Sequence, residues 1–135
     1  MNKVGIVVAN YYPEITSGLL TGVQKTLDKK FNNEIYEVSG AWELVYKINN
    51  LIEVEKINKF IAIGVICKGD TDHYEYISSS VSNGLMNTII KKNVYIANCV
   101  LNVLNLTQAE ERSGISNNKG SEAAVSLNKL FINTK

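Results

Sequence analysis

Two side chains that occur only once could do chemistry in this 135-residue chain. Thirteen of its fourteen cationic residues are lysines, and the single arginine is Arg112. A planar guanidinium binds phosphate or carboxylate oxygens through two parallel hydrogen bonds, which an ammonium group cannot do. The single histidine, His73, can transfer a proton near neutral pH. Arg112 therefore predicts an anion site and His73 a proton-transfer step, although a surface arginine and a helix-capping histidine would account for the same residues without chemistry.

The polar segment Lys68–His73 is a candidate phosphate-binding turn. It contains Gly69, Asp70 and Thr71 and lies between an apolar run and a helical pattern. Gly69 permits a tight turn, and the amides that follow would open a helix N-terminus, which binds anions. Asp70 and Asp72 would repel an anion unless their carboxylates turn outward. The simpler interpretation is that one aspartate caps the helix.

Aromatic and charged side chains mark three other places. The segment Ser39–Glu43 contains Trp42, which could pack on a ring, and Glu43, which could accept hydrogen bonds from hydroxyl groups. By itself, that segment is explained more simply by a turn, a core aromatic and a first-turn glutamate that the helix dipole favours. Tyr11 could stack on a flat heterocycle or simply cover the edge of a sheet. Lys119 stands beside a predicted helix start, where it opposes the helix dipole, so either a nearby anion or plain solvation accounts for it.

Alternating strands and helices must position these residues. Apolar runs predict four strands, at 4–9, 34–38, 60–66 and 94–101. Helical spacing predicts five helices, over 13–31, 41–52, 73–91, 105–114 and from 119 onward. This order predicts an α/β fold, a flavodoxin-like three-layer sandwich with a four-stranded parallel sheet. Gly18 and Gly22, four residues apart on the first helix, predict a close approach of another element.

In such a fold, function lies at the carboxyl ends of the strands. The corresponding loops are 10–13, 39–43, 67–73 and 101–105. The single proline, tryptophan and histidine, Pro13, Trp42 and His73, fall in or beside three of them. These loops are therefore the predicted site.

Length and composition exclude several classes of protein. The length indicates one domain over residues 1–135, and a net charge of +1 gives no case for a nucleic acid or an anionic membrane as partner. The apolar run at 4–9 is too short for a membrane span or a signal peptide core. Cys67 and Cys99 form neither a metal motif nor a disulfide framework, which indicates reduced thiols in a cytoplasmic protein.

The order of the segments along the chain resembles the 6,7-dimethyl-8-ribityllumazine synthase family. The most specific parts are the block Lys68–His73 and the pair formed by 111–114 and 118–120. The matching stretches span nearly the whole chain: Gly5-Ile6-Val7-Val8 with Ile15-Thr16-Ser17, Gly40-Ala41-Trp42-Glu43, Gly64 to Tyr76, Gln108-Ala109 with Glu111-Arg112-Ser113-Gly114, and Asn118-Lys119-Gly120 with Glu122-Ala123-Ala124.

The resemblance implies an enzyme of riboflavin biosynthesis. It would condense 5-amino-6-ribitylaminouracil with 3,4-dihydroxy-2-butanone 4-phosphate and release phosphate and water. Schiff-base formation, phosphate elimination and ring closure would follow in that order, with no metal and no organic cofactor. The resemblance also implies a homo-oligomer, a pentamer or a shell of twelve pentamers, with active sites between neighbouring subunits.

The resemblance assigns three groups of residues to the site. His73 would transfer protons. The phosphate would be bound by Gly69, Asp70 and Thr71 and by Arg112, which reaches in from a neighbouring subunit. The uracil and its ribityl chain would be bound by Tyr11, Ala41, Trp42, Glu43, Ile66, Cys67, Asn98 and Lys119, with Tyr11 stacking on the ring and Glu43 accepting from the ribityl hydroxyls.

The chain departs from the family at several of these places. Asn10-Tyr11-Tyr12 stands where many members have Arg-Phe-Asn, and Ser39 stands where proline is common. Asn102-Val103 replaces a usual pair of threonines, and Asn98 replaces an aromatic of the neighbouring subunit. These departures bear on affinity and rate more than on the class of reaction.

Two features bear on the size of the assembly. The sequence starts close to the first strand, which favours a pentamer, whereas the short segment 115–117 is typical of shell-forming members. Both assemblies therefore stay open.

Two other functions remain to be weighed. A pentameric carrier of flavin or lumazine would bind without turnover, but it would need neither His73 nor Arg112. A phospho-acceptor receiver needs acidic residues where this chain has Asn10 and Lys68, and a flavodoxin needs a Ser/Thr-rich loop after the first strand. The residues favour the enzyme.

Overall fold

Strands and helices alternate along the chain in the computed structural model, which describes residues 2–70 and 73–132. Two 3-10 turns, Ala41–Glu43 and Lys68–Asp70, follow the second and third strands. The strands and helices are β1 (Lys3–Ala9), α1 (Pro13–Thr26), β2 (Asn32–Val38), α2 (Leu44–Glu55), β3 (Lys59–Cys67), α3 (Tyr74–Lys92), β4 (Tyr95–Val103), α4 (Leu106–Glu111) and α5 (Lys119–Phe131).

The four strands form one parallel sheet in the order β2-β1-β3-β4. Helices α1 and α5 pack on one face of the sheet, and α2 and α3 pack on the other. The predicted α/β fold with a four-stranded parallel sheet is therefore confirmed. None of the helices in the described ranges is both long and apolar enough to cross a membrane.

Burial differs between the central strands and the edge. Strands β1 and β3 are buried along almost their whole length, because helices cover both of their faces. Strand β2 lies at one edge and is mostly exposed, as its mixed sequence NNEIYEV requires. The apolar side chains divide into two clusters, one on each face of the sheet, and the α1–α5 face includes Leu19, Val23, Ile63, Ala124 and Leu127.

Several helix boundaries differ from the prediction, the end of α1 and the start of α2 among them. The prediction of a first helix through residue 31 is wrong, since α1 ends at Thr26 and the backbone of Leu27 is extended. Leu27 and Phe31 are buried, so their spacing reflects packing of the connection rather than a continued helix. The second helix begins at Leu44 rather than at residue 41, because a 3-10 turn precedes it.

Helix α1 lies unusually close to the segments that follow α4. A Cβ at Gly18 would collide with the carbonyl oxygen of Ser113, and one at Gly22 would collide with the side chain of Asn118. The predicted close approach at these two glycines is confirmed. The contact fixes where the second half of the chain sits relative to the first.

Candidate functional site

A cavity of about 210 Å³ opens where β1 and β3 end. Strand order reverses between these two neighbours, since β2 lies on one side of β1 and β3 lies on the other. Ligands of doubly wound folds bind at this switch point, beyond the carboxyl ends of the strands. The lining is mainly apolar and comes from three strand ends and helix α3: Tyr11, Tyr12, Gly40, Ala41, Trp42, Val65, Ile66, Cys67 and Ile77.

Two exposed aromatic side chains border this cavity. Tyr11 is 66% exposed and Trp42 is 63% exposed, and both line the same cavity. The Tyr11 ring meets the Tyr12 ring edge-on, with centroids 4.9 Å apart and an interplanar angle of 85°. Aromatic surfaces of this kind can stack on a flat heterocycle.

The predicted residues at the end of β3 lie in the cavity wall. Ile66 and Cys67 are buried, and both line the cavity. Ala41 lines it from the 3-10 turn that follows β2. The sheet therefore brings Tyr11, Ala41 and the β3 end together, although these residues are far apart in the sequence.

Glu43 is placed differently from its neighbours Ala41 and Trp42. Its side chain is exposed and folds back over the turn, where Oε1 accepts a hydrogen bond from the Ser39 hydroxyl at 3.2 Å. Glu43 is not among the residues that line the cavity.

The candidate phosphate turn is only partly described. Lys68–Asp70 form a 3-10 turn, and Thr71 and Asp72 lie outside the described residues. The turn is tight, as predicted, but Gly69 does not take a left-handed conformation, and a Cβ there would meet no atom of the described residues within 4 Å. The Lys68 ammonium lies 4.0 Å from Glu75 Oε2, so the turn borders a loose ion pair with α3.

His73 directly precedes α3, as the sequence predicted. Its carbonyl oxygen accepts a hydrogen bond from the backbone N–H of Ile77 at 3.0 Å, which closes the first turn. Its exposed ring lies 6.0 Å from the ring of Tyr76, between centroids. His73 is not among the residues that line the cavity, but Ile77, one helical turn further along α3, is.

The remaining predicted residues line a second, more polar groove of about 450 Å³ beside the exposed edge of β4. Asn98, Arg112 and Lys119 all face this groove. Within the described part of the chain, the Arg112 guanidinium forms no ion pair, whereas the Lys119 ammonium lies 3.1 Å from Glu122 Oε1. Glu122 thus balances the lysine at the helix start, and Arg112 keeps its charge available for an anion.

The β4 edge itself is protected by its own side chains. Asn98 Oδ1 accepts from the backbone N–H of Val100 at 2.9 Å, and Asn102 Nδ2 donates to the Val100 carbonyl at 3.3 Å.

Burial raises the pKa of the Cys99 thiol to about 12, so this thiol stays protonated and is no nucleophile.

Eight of the predicted site residues therefore form two groups in a single chain, whereas Glu43, Gly69 and His73 line neither opening. One group surrounds the cavity at the ends of β1 and β3, and the other lies along the β4 edge. Four cavity-lining residues were not among the predicted site residues: Tyr12, Gly40, Val65 and Ile77. Ile77 carried a usable signal, because it is an apolar side chain one helical turn after the candidate residue His73.

The chain is similar to known proteins along nearly its whole length. A family model described as 6,7-dimethyl-8-ribityllumazine synthase matches residues 1–134. The chain is 34% identical to the 6,7-dimethyl-8-ribityllumazine synthase of Limosilactobacillus reuteri over 131 residues, which cover 96% of this chain and 85% of that one. It is 36% identical to the enzyme of the same name from Wigglesworthia glossinidia brevipalpis, covering 96% and 88%. The one from Bacteroides fragilis is 33% identical, covering 96% and 94%.

Proposed function

The chain belongs to the 6,7-dimethyl-8-ribityllumazine synthase family, and on this premise we propose how its residues share the work of the reaction. The chain is an enzyme, a transferase of that family. It condenses 5-amino-6-ribitylaminouracil with 3,4-dihydroxy-2-butanone 4-phosphate and releases inorganic phosphate and water. The observation that carries the proposal is the aromatic-rimmed cavity at the switch point, combined with an arginine that has no ion-pair partner among the described residues.

The cavity binds the uracil substrate. Tyr11 stacks on the flat pyrimidinedione, and the backbone at Ile66 and Cys67 borders the ring. The ribityl chain lies along Ala41 and Trp42. Glu43 rotates from Ser39 towards the ribityl hydroxyls and accepts hydrogen bonds from them, which its exposed position allows.

The phosphate of the second substrate binds at the turn after β3. Gly69, Asp70 and Thr71, which follow β3 in the sequence, bind the phosphate, and Arg112 binds its oxygens bidentately. His73 moves protons as the amine adds to the ketone and phosphate leaves. No group needs to attach covalently to the substrates, and holding the two substrates in reacting geometry supplies much of the rate.

Neighbouring subunits complete each site. Arg112, Lys119 and Asn98 line a groove on the β4 edge, whereas Tyr11 and Trp42 border a separate cavity of the same chain. This separation supports a homo-oligomer in which the β4 edge of one subunit faces the cavity of the next. We propose a pentamer, alone or as the building block of a shell of twelve pentamers. Both cysteines are unpaired, which supports a reducing compartment such as the cytoplasm.

Turnover with both substrates tests the proposal. Lumazine absorbance and phosphate release should rise together in a one-to-one ratio. Arg112→Ala should raise the KM for the butanone phosphate about ten- to hundredfold, the loss expected when charge-assisted hydrogen bonds disappear. Lys129→Ala, which removes an exposed cation in the last turn of α5, is the matched control and should leave both KM values unchanged.

Two outcomes would count against the proposal. An unchanged KM in Arg112→Ala would remove that residue from the phosphate site. A folded oligomer that binds riboflavin tightly but forms no product above the uncatalysed background would favour a carrier over an enzyme.

A further inference from the structure

We propose that Asn118 is the positioning residue that holds Arg112 and Lys119 in place at the β4 edge. This inference rests on the proposed function, in which Arg112 grips the phosphate. Arg112 and Lys119 bracket a loop and are joined by one backbone hydrogen bond, from the Lys119 N–H to the Arg112 carbonyl at 2.8 Å. Ser113 and Asn118 pair as an isolated antiparallel bridge just inside that bond. The loop is a closed unit whose position sets both cations together.

The Asn118 side chain ties this unit to the rest of the fold. Its Oδ1 accepts from the backbone N–H of Ser121 at 3.1 Å and so caps α5. Its Nδ2 carries two N–H bonds, which are shared among three carbonyl oxygens and therefore fully used. Those acceptors are Gly18 at 3.0 Å, Ser113 at 3.2 Å and Gly114 at 3.0 Å. One amide thus joins α1, the loop and α5.

Glycines bring α1 close enough for these bonds. A Cβ at Gly22 would collide with the Asn118 side chain, and one at Gly18 would collide with the Ser113 carbonyl oxygen. The Ser121 hydroxyl donates to the Gly22 carbonyl at 3.2 Å, beside the Asn118 cap. The loop is therefore held against a rigid helix by side-chain and backbone contacts at one point, and Asn118 is the residue that makes most of them.

Asn118→Asp removes only the donor half of this arrangement. The aspartate keeps nearly the same shape, and its carboxylate still accepts from the Ser121 N–H. Its second oxygen, however, faces three carbonyl oxygens instead of donating to them, which pushes the loop away from α1. Arg112 and Lys119 would then no longer be held at a fixed position, while the cavity at the ends of β1 and β3 stays intact.

Asn128 offers a matched control at the other end of the same helix pair. Its Nδ2 donates to the Thr26 carbonyl at 2.9 Å, and its Oδ1 accepts from the Asp28 N–H at 2.9 Å. Asn128 therefore also joins α5 to α1 through a bifunctional amide, but it does so far along α5 from Arg112. A purely structural role for Asn118 would make the two Asn→Asp variants behave alike.

The test compares KM and kcat in the two variants. Asn118→Asp should raise the KM for the butanone phosphate about tenfold, and it should weaken competitive inhibition by inorganic phosphate by a similar factor, with kcat changed less than about threefold. Asn128→Asp should lower the midpoint of urea unfolding about as much as Asn118→Asp does, but it should leave the KM and the inhibition by phosphate unchanged. If Asn118→Asp does not fold, Gly22→Ala, whose methyl group would displace the Asn118 amide, should reproduce the higher KM.

The inference is overturned if the KM stays unchanged in the folded Asn118 variant, or if both variants raise it equally. Arg112→Ala, measured in parallel, separates this inference from the proposed function. A higher KM in Arg112→Ala without one in Asn118→Asp refutes the positioning role alone. No KM change in Arg112→Ala refutes the phosphate grip, and the positioning role falls with it.

Discussion

Replacing Gly120 with alanine should destabilise the fold, although alanine is ordinarily the better helix former. Gly120 is buried in the first turn of α5, and a Cβ there would collide with the backbone carbonyl oxygen of Leu19 in α1. That oxygen belongs to a hydrogen-bonded helix and cannot move by itself. The two helices would have to separate, and they would loosen the apolar cluster that they share.

The magnitude follows from two opposing effects. Alanine is favoured over glycine by up to about 1 kcal/mol inside a helix, whereas overpacking a tight contact costs about 1–3 kcal/mol. Because the obstacle is backbone and Gly120 lies at a helix start, where propensity counts less, we expect a net loss of about 2 kcal/mol in the free energy of unfolding. With a urea m value of about 2 kcal/mol/M, the unfolding midpoint should fall by about 1 M.

Urea unfolding followed by circular dichroism measures this shift, at one fixed protein concentration, because association also stabilises the folded state. Gly69→Ala is the control, since a Cβ at Gly69 meets no described atom within 4 Å and its backbone is not left-handed. Its midpoint should stay within about 0.3 M of the wild type. A Gly120→Ala midpoint at or above that of the wild type, with an unchanged m value, would refute the reasoning that this glycine sets the α1–α5 distance.

Two further predictions concern the cavity and the assembly. The Tyr12 hydroxyl oxygen is buried without a hydrogen-bond partner in the described part of the chain, so Tyr12→Phe should leave the free energy of unfolding unchanged or raise it by up to about 1 kcal/mol. A fall of more than about 1 kcal/mol in the same urea titration would contradict this. If Arg112 serves the neighbouring subunit, refolding equal amounts of Arg112→Ala and Tyr11→Ala chains together should return about a quarter of wild-type turnover, because one site in four then combines two intact halves. Turnover no higher than that of the separate variants would place both halves in one subunit.

Local patterns predicted the elements of this fold well because each strand and helix buries a regular set of side chains. The short helix α4 is an example: Asn105 Oδ1 accepts from the Gln108 N–H at 3.0 Å, as the spacing of an N-cap residue and a residue three positions later predicts. The Gln108 side chain also reaches back, but to the N–H of Leu104 at 2.9 Å, one residue before the N-cap. The start of α5 was predictable for the same reason, since Asn118 caps it.

The end of α1 was not predictable from local pattern. Leu27 and Phe31 continue the apolar spacing, yet the helix stops at Thr26. The Asn128 side chain, a hundred residues away, bonds to the carbonyl of Thr26 and the amide of Asp28, and it thereby satisfies the open helix end. Apolar periodicity records which residues are buried, but it does not say whether a helix or a packed connection buries them.

The sequence by itself determined the chemistry that is available and the order of the elements. It contains one arginine, one histidine and a set of aromatic residues at strand ends, and alternation of apolar runs with helical spacing requires a layered α/β fold. Only the tertiary structure decided where these groups stand relative to one another. The strand order β2-β1-β3-β4 places Tyr11 beside the end of β3, and glycine-mediated contact with α1 places Arg112 and Lys119 on the β4 edge, in a different groove. Such distances depend on pairing between segments that are remote in sequence, and local periodicity carries no information about that pairing.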